Sequence, residues 1–162
     1  MPLLINGVVE QDRWTFINAQ DFAENPESQL QQLDQQSKAT IFPLACYLEY
    51  QTKIRLDQCC VGLLITGDDD VSAIAELFNK VALIAIEFPV LRDGRGFSIA
   101  RNVTRRGFTG EVRAVGDVSY DRLDNMQRSG FNAYQIADEL YTTDTVKAFS
   151  EITVNYQPTH LR

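Results

Sequence analysis

At 162 residues, with 44% hydrophobic and 23% charged residues, the chain has the size and apolar content of one globular domain spanning residues 1–162. Its formal charge of −7 argues against a nucleic-acid binder, because affinity for a phosphate backbone needs a broad basic surface. The apolar runs Val81–Ile86 and Val61–Ile65 are far too short to cross a bilayer, and MPLLINGVVEQDRW lacks the flanks of a signal peptide, so a cytoplasmic protein with no membrane partner is expected.

Cys46, Cys59 and Cys60 form no CxxC pair and are odd in number, which points to reduced thiols and not to a disulfide framework. Cys59 and Cys60 open an apolar run and are expected to be buried. With only His160 beside them, they cannot supply the ligands of an iron–sulfur cluster or an ordinary zinc site, so no metal and no cofactor are expected.

In chain order, Leu3–Trp14 reads as a β-hairpin turning at Asn6-Gly7 and edging the main sheet. Within residues 1–38 it is followed by a polar surface helix that starts at Asn25-Pro26 and turns Leu30 and Leu33 inward. Residues 39–149 then alternate short apolar strands with amphipathic helices, the pattern of βα units on a parallel sheet. Strands are expected near Thr40–Pro43, Val61–Thr66, Val81–Phe88, Val112–Val115 and Ala133–Ile136. Gly67-Asp68-Asp69-Asp70 opens one helix, its carboxylates read as caps in preference to metal ligands. A second helix runs from about Gly96 to Arg106 and stops at Gly107, with Phe97, Ala100 and Val103 on its apolar side. Asp117 or Ser119 caps a third, which packs Leu123 and Met126 and closes at Gly130. Residues 150–162 are a β-rich tail. The fold class is therefore α/β, with parallel βα units forming an open doubly wound sheet or a partial barrel and a hairpin at the N-terminus.

Charge is spread unevenly: residues 1–91 sum to −8, residues 92–113 to +4 and residues 114–162 to −3. The positive block coincides with Glu87-Phe-Pro-Val-Leu-Arg-Asp-Gly-Arg-Gly-Phe-Ser98, read as strand end, loop and helix start. Ligands of parallel sheets gather at this edge. Gly94 and Gly96 let the backbone approach a ligand, and helix-start amides favour an anion. Arg92 and Arg95 add charge-assisted hydrogen bonds, reinforced by Ser98, Arg101 and Arg113. The competing assignment has Asp93 capping the helix, the glycines making a turn and the arginines pairing with nearby carboxylates. Glu87, at the end of an apolar strand, calls for an arginine partner. Asp117 and Asp121, one turn apart near the same edge, suit acid–base work or plain helix capping. Gly94-Arg95-Gly96 lacks the third glycine of a dinucleotide fingerprint, and the sequence has no Walker loop, nucleophile elbow or histidine-based triad.

Together, Glu87-Phe88-Pro89, Asp93-Gly94-Arg95-Gly96-Phe97-Ser98-Ile99-Ala100-Arg101, Gly110–Val118 and Gly130-Phe131-Asn132-Ala133 resemble a bacterial family of unknown function. That family is described in general terms as oxidoreductases involved in sulfite reduction, often encoded beside assimilatory sulfite reductase. Asp121-Arg122-Leu123 stands where the family pattern has Asp-Gln-Leu. The resemblance implies an accessory protein of assimilatory sulfate or sulfite reduction. On this reading the arginine loop binds a small oxyanion (sulfite, sulfate or phosphate) or a partner, namely sulfite reductase or its electron donor. The alternative is an enzyme on a small phosphorylated or sulfonated substrate, with Asp117 and Asp121 as acid–base and the arginines as anion clamp. A third reading, function through assembly alone, leaves a homodimer open.

Overall fold

The computed structural model describes residues 1–36, 38–142 and 144–151. It begins with the expected hairpin, β1 (Leu3–Ile5) and β2 (Val8–Glu10), joined at Asn6 and Gly7. Both turn residues have positive φ, 51° and 79°, as a tight primed turn between twisted strands requires. Six further strands follow: β3 (Thr15–Phe16), β4 (Thr40–Pro43), β5 (Val61–Ile65), β6 (Leu83–Phe88), β7 (Glu111–Gly116) and β8 (Ala133–Gln135). Among the described residues the strands form one sheet in the order β2-β1-β8-β7-β6-β5-β4-β3, with β3 to β8 parallel in sequence order and β1 antiparallel to β8.

This order decides between the two architectures. A doubly wound sheet reverses direction partway along, whereas here every parallel strand lies beside its predecessor. Right-handed crossovers therefore carry all the intervening helices to one face. The sheet curls into a half-barrel. Chain length demands the curl: eight strands laid flat would separate β2 from β3 by about 34 Å, yet Glu10 and Thr15 are joined by a segment that reaches about 17 Å when extended. Residues 11–14 thus strap one edge of the sheet to the other. Trp14 of the strap packs with Ile41, Leu83, Ala85 and Val115, so the strap crosses the face around which the sheet curls.

The helices cover the other, convex face: α1 (Ala19–Glu24), α2 (Pro26–Gln36), α3 (Leu44–Tyr50), α4 (Val71–Ile74), α5 (Arg95–Arg105), α6 (Leu123–Ser129) and α7 (Ala148–Glu151). The larger core lies beneath them and includes Phe42, Leu63, Ile84, Ile86, Phe88, Ile99, Val103, Leu123 and Met126. Strand β6 shows the consequence of cover on both sides. Leu83 and Ala85 face the concavity while Ile84, Ile86 and Phe88 face the helices, so the sequence reads as a nearly continuous apolar run.

Local punctuation follows the expected chemistry at most ends. Helix α2 starts at Pro26, Asp70 caps α4 by accepting from the Ser72 amide at 2.8 Å, and Gly107 (φ 93°) and Gly130 (φ 109°) end α5 and α6. Three details differ from expectation. The hairpin expected over Leu3–Trp14 ends at Glu10, residues 11–14 run on as the strap, and residues 15–16 form an unexpected strand, β3, at the far edge. Neither Asp117 nor Ser119 caps α6: a 3₁₀ turn, Tyr120–Arg122, precedes that helix, and the Ser119 hydroxyl donates to the Asp121 carboxylate at 2.7 Å. Cys59 is exposed, because it sits in the 3₁₀ turn Gln58–Cys60 and not within β5. Of the tail at 150–162, residues 152–162 lie outside the described residues. Among the described residues, no helix is long and apolar enough to cross a membrane.

Candidate functional site

Three loops meet at the C-terminal ends of the central strands: Thr66–Asp70 after β5, Pro89–Gly94 after β6 and Asp117–Ser119 after β7. Arg95, the first residue of α5, ties the first two. Its guanidinium donates to Asp93 from Nε at 3.0 Å and from Nη2 at 2.8 Å, and its Nη1 binds Asp68 on the neighbouring loop. The Asp93 carboxylate also accepts the Arg95 backbone N–H at 3.0 Å, so one side chain caps the helix and holds the arginine. These bonds, the guanidinium first and the backbone amide second, depress the Asp93 carboxyl to about 2. In return the two carboxylates push the Arg95 guanidinium higher still. Gly67 makes room for this arrangement, since a Cβ there would stand 2.5 Å from Arg95 Cζ.

A second arginine closes the gap between the β6 and β7 loops. Arg122 is buried, with its guanidinium carbon 4.7 Å from the Phe88 ring centroid and 5.1 Å from that of Phe97. Such stacking is open to the flat guanidinium and is strengthened by desolvation. Its Nη1 donates to the Asp117 carbonyl at 3.1 Å and its Nη2 reaches the Asp93 carbonyl at 3.4 Å. Phe88 is the hub of this edge. Its ring fills the space that a Cβ on Gly96 would need, and its carbonyl accepts the Asp117 N–H at 2.8 Å beside Gly116, which has φ 86°.

The arginine- and glycine-rich residues singled out from sequence therefore fall into three places. Asp93, Gly94, Arg95 and Gly96 lie together at the loop and helix start, with Arg92 exposed beside them. Ser98 and Arg101 are exposed on α5, away from its buried side. Arg113 lies apart from both groups. It is fully buried on the concave face, where Nε donates to Glu111 at 2.7 Å, Nη1 donates to Asp12 at 2.8 Å, and Nη2 has no hydrogen-bond partner among the described residues. Asp117 is half-buried, and Asp121 is exposed and bonded to Ser119. Glu87 is half-buried on the concave side, and among the described residues it forms no ion pair with an arginine. The reason is register: Glu87 pairs across with Val115, two residues beyond Arg113.

Sequence reasoning missed Asp68 as the partner of Arg95, Arg122 as an aromatic-stacked bridge, and Asp12 as the acid within the strap. Asp68 was visible as part of an acidic triplet, but only the parallel pairing of β5 with β6 brings it to Arg95. Clefts among the described residues lie away from this edge, one between α2 and Thr52–Arg55, one beside it at Glu24, Ser28 and Tyr50, and one bounded by Asn6, Thr104 and Tyr134. Among the described residues no cluster of three or more acidic, cysteine or histidine side chains could hold a metal ion.

Comparison with curated proteins gives no match. A family model described as a bacterial protein of unknown function (DUF934) matches residues 62–162, more than half of the chain. The match takes in all of β5 but its first residue, strands β6 to β8, the Asp68–Arg95–Asp93 cluster and Arg122 with its two rings. By this match, carried by the segment that builds the whole strand-end edge, the chain belongs to the DUF934 family of bacterial proteins.

Proposed function

We propose that this chain is a cytoplasmic accessory protein of sulfite reduction that docks an acidic surface of sulfite reductase, or of its electron donor, through the loop between β6 and α5. One observation carries the reading. Val90 and Leu91 are 57% and 56% exposed at the tip of that loop and stand directly beside exposed Arg92. Apolar side chains next to an arginine suit an interface core with a charged neighbour, since arginine and large apolar groups tolerate desolvation better than lysine does. Along α5, exposed Arg101 and Arg105 extend the positive surface in an otherwise acidic chain. Complementary charge of this kind speeds encounter with an acidic partner.

The oxyanion version has support of its own. Gly94 has an ordinary φ of −92° and nothing within 4 Å of a Cβ placed there, so the fold does not require glycine at that position. An anion arriving there must compete with the Asp93 carboxylate for the Arg95 amide and guanidinium, which ranks this version second. The enzyme reading, with Asp117 and Asp121 in acid–base roles, has less support, because Asp121 is exposed and already bonded to Ser119.

The test is equilibrium binding of the purified chain to sulfite reductase and, separately, to its electron donor, at low and at physiological salt. Binding should be salt-sensitive and should weaken at least about tenfold in Leu91→Ser and Arg92→Glu, with circular dichroism unchanged. Equal binding by the variants, or none by the wild type, overturns the docking proposal. Thermal stabilisation by millimolar sulfite, sulfate or phosphate that disappears in Arg95→Ala would favour the oxyanion version instead.

A further inference from the structure

Cys59 and Cys60 close the 3₁₀ turn that leads into β5, and their sulfurs lie 3.7 Å apart. Cys59 is exposed and Cys60 half-buried, so the pair is open to solvent on one side. Backbone bonds set the turn: the Cys60 N–H donates to the Asp57 carbonyl at 2.8 Å, and the Val61 N–H donates to Gln58. Val61 is in turn held in register with Thr40. Neither sulfur belongs to the hydrophobic core or to the strand-end loops.

The separation selects a chemistry. A disulfide bond is about 2.05 Å long, so direct oxidation would require the two sulfurs of adjacent residues to close by about 1.6 Å. Two sulfurs 3.7 Å apart, each bound at about 2.3 Å to one central ion, subtend an angle of about 107° there, close to the tetrahedral value. From this geometry we propose that Cys59 and Cys60 form a chelating dithiol site for a thiophilic ion of the zinc, cadmium and trivalent-arsenic class, held by both sulfurs at once. Adjacent residues share one peptide unit, so the chelate closes locally without rearrangement of the sheet. Arg13 and Asp57 are charged groups near enough to act on Cys60. Burial first, then the neighbouring Cys59 and Asp57, push the Cys60 thiol up while Arg13 pulls it toward the thiolate, so a bound ion must displace the thiol proton.

A monosubstituted trivalent arsenical, phenylarsine oxide, tests the pair because it takes two thiols and needs no other ligand. Each sulfur forms an As–S bond, the As–O double bond is lost, and the two thiol protons leave with that oxygen as water; nothing is oxidised or reduced. The reduced full chain should gain one reagent less one water by intact mass, and its free thiols should fall from three to one. Cys59→Ser and Cys60→Ser should each abolish the adduct, whereas Cys46→Ser should keep it. A small dithiol should strip the adduct, and an equal concentration of monothiol should not. An adduct that survives in Cys59→Ser or Cys60→Ser, or no adduct on the wild type, overturns the proposal. So does an adduct that monothiol removes.

Discussion

Asp12 and Arg113, 101 residues apart in the chain, form a 2.8 Å ion pair inside the curled sheet. Asp12 belongs to the strap that joins the two sheet edges, and Arg113 rises from the middle of β7 with no exposed surface. The pair therefore braces the concavity across its width, with Glu111 as the second acid on the same guanidinium.

Removal of the arginine alone leaves two carboxylates facing each other in a poorly hydrated space, and loss of one partner from a buried pair costs about 3–5 kcal/mol. Arg113→Ala is thus expected to destabilise by that amount, and Asp12→Asn by less, since the amide still accepts a hydrogen bond. Denaturant unfolding measures both. Trp14, the one tryptophan of the chain, sits two residues from Asp12 and reports separately on the strap. Its emission should shift to the red in Arg113→Ala; an unshifted emission at wild-type stability would contradict the brace.

Arg122 replaces what would otherwise be a gap between two loops. Lysine keeps the charge but loses the guanidinium's contact with the Phe88 and Phe97 rings and its forked hydrogen bonds, so Arg122→Lys should cost about 1–2 kcal/mol. Hydrogen exchange at the Asp117 amide, which donates to the Phe88 carbonyl at 2.8 Å, should accelerate in that variant. Unchanged exchange there would mean that Arg122 does not hold the loop.

Asp93 makes a prediction about pH. Its carboxyl titrates at about 2 in the folded chain, below its ordinary value of 3.8, so the folded state binds a proton less readily than the unfolded chain does. The stabilisation is fully present above the unfolded value and is lost as pH falls from about 4 through 2. Unfolding free energy measured between pH 5 and 2 should fall more steeply in the wild type than in Asp93→Asn. Parallel slopes would show that the carboxylate is not held by Arg95 in solution.

Two glycines at the same edge should behave in opposite ways. Gly116, with φ 86°, would place a Cβ 2.4 Å from the Phe88 carbonyl oxygen, so Gly116→Ala should cost more than about 2 kcal/mol. Gly94→Ala meets nothing within 4 Å at φ −92° and should change stability by no more than about 0.5 kcal/mol. That makes Gly94→Ala a clean probe of ligand approach. Thermal melts of the two variants decide the point.

What the sequence by itself determined lies within a turn or two of the residues that encode it. Asn6-Gly7 specifies the hairpin turn, Pro26 a helix start, Gly107 and Gly130 helix ends, and the apolar runs at 61–65 and 81–86 strands of a parallel sheet. The clustering of Asp93, Gly94, Arg95 and Gly96 was legible for the same reason, since the residues are consecutive. Tertiary structure decided the rest. A two-residue strand such as Thr15–Phe16 has too little periodicity to be seen. The division of the arginines between an exposed helix face (Arg101 and Arg105), a loop clamp (Arg95), an aromatic contact (Arg122) and the buried concavity (Arg113) depends on partners brought close by strand order. Asp68 meets Arg95 only because β5 lies beside β6, and Asp12 meets Arg113 only because the sheet curls far enough for four residues to bridge its edges. Composition records the charges, but only packing determines which of them remain available to a partner.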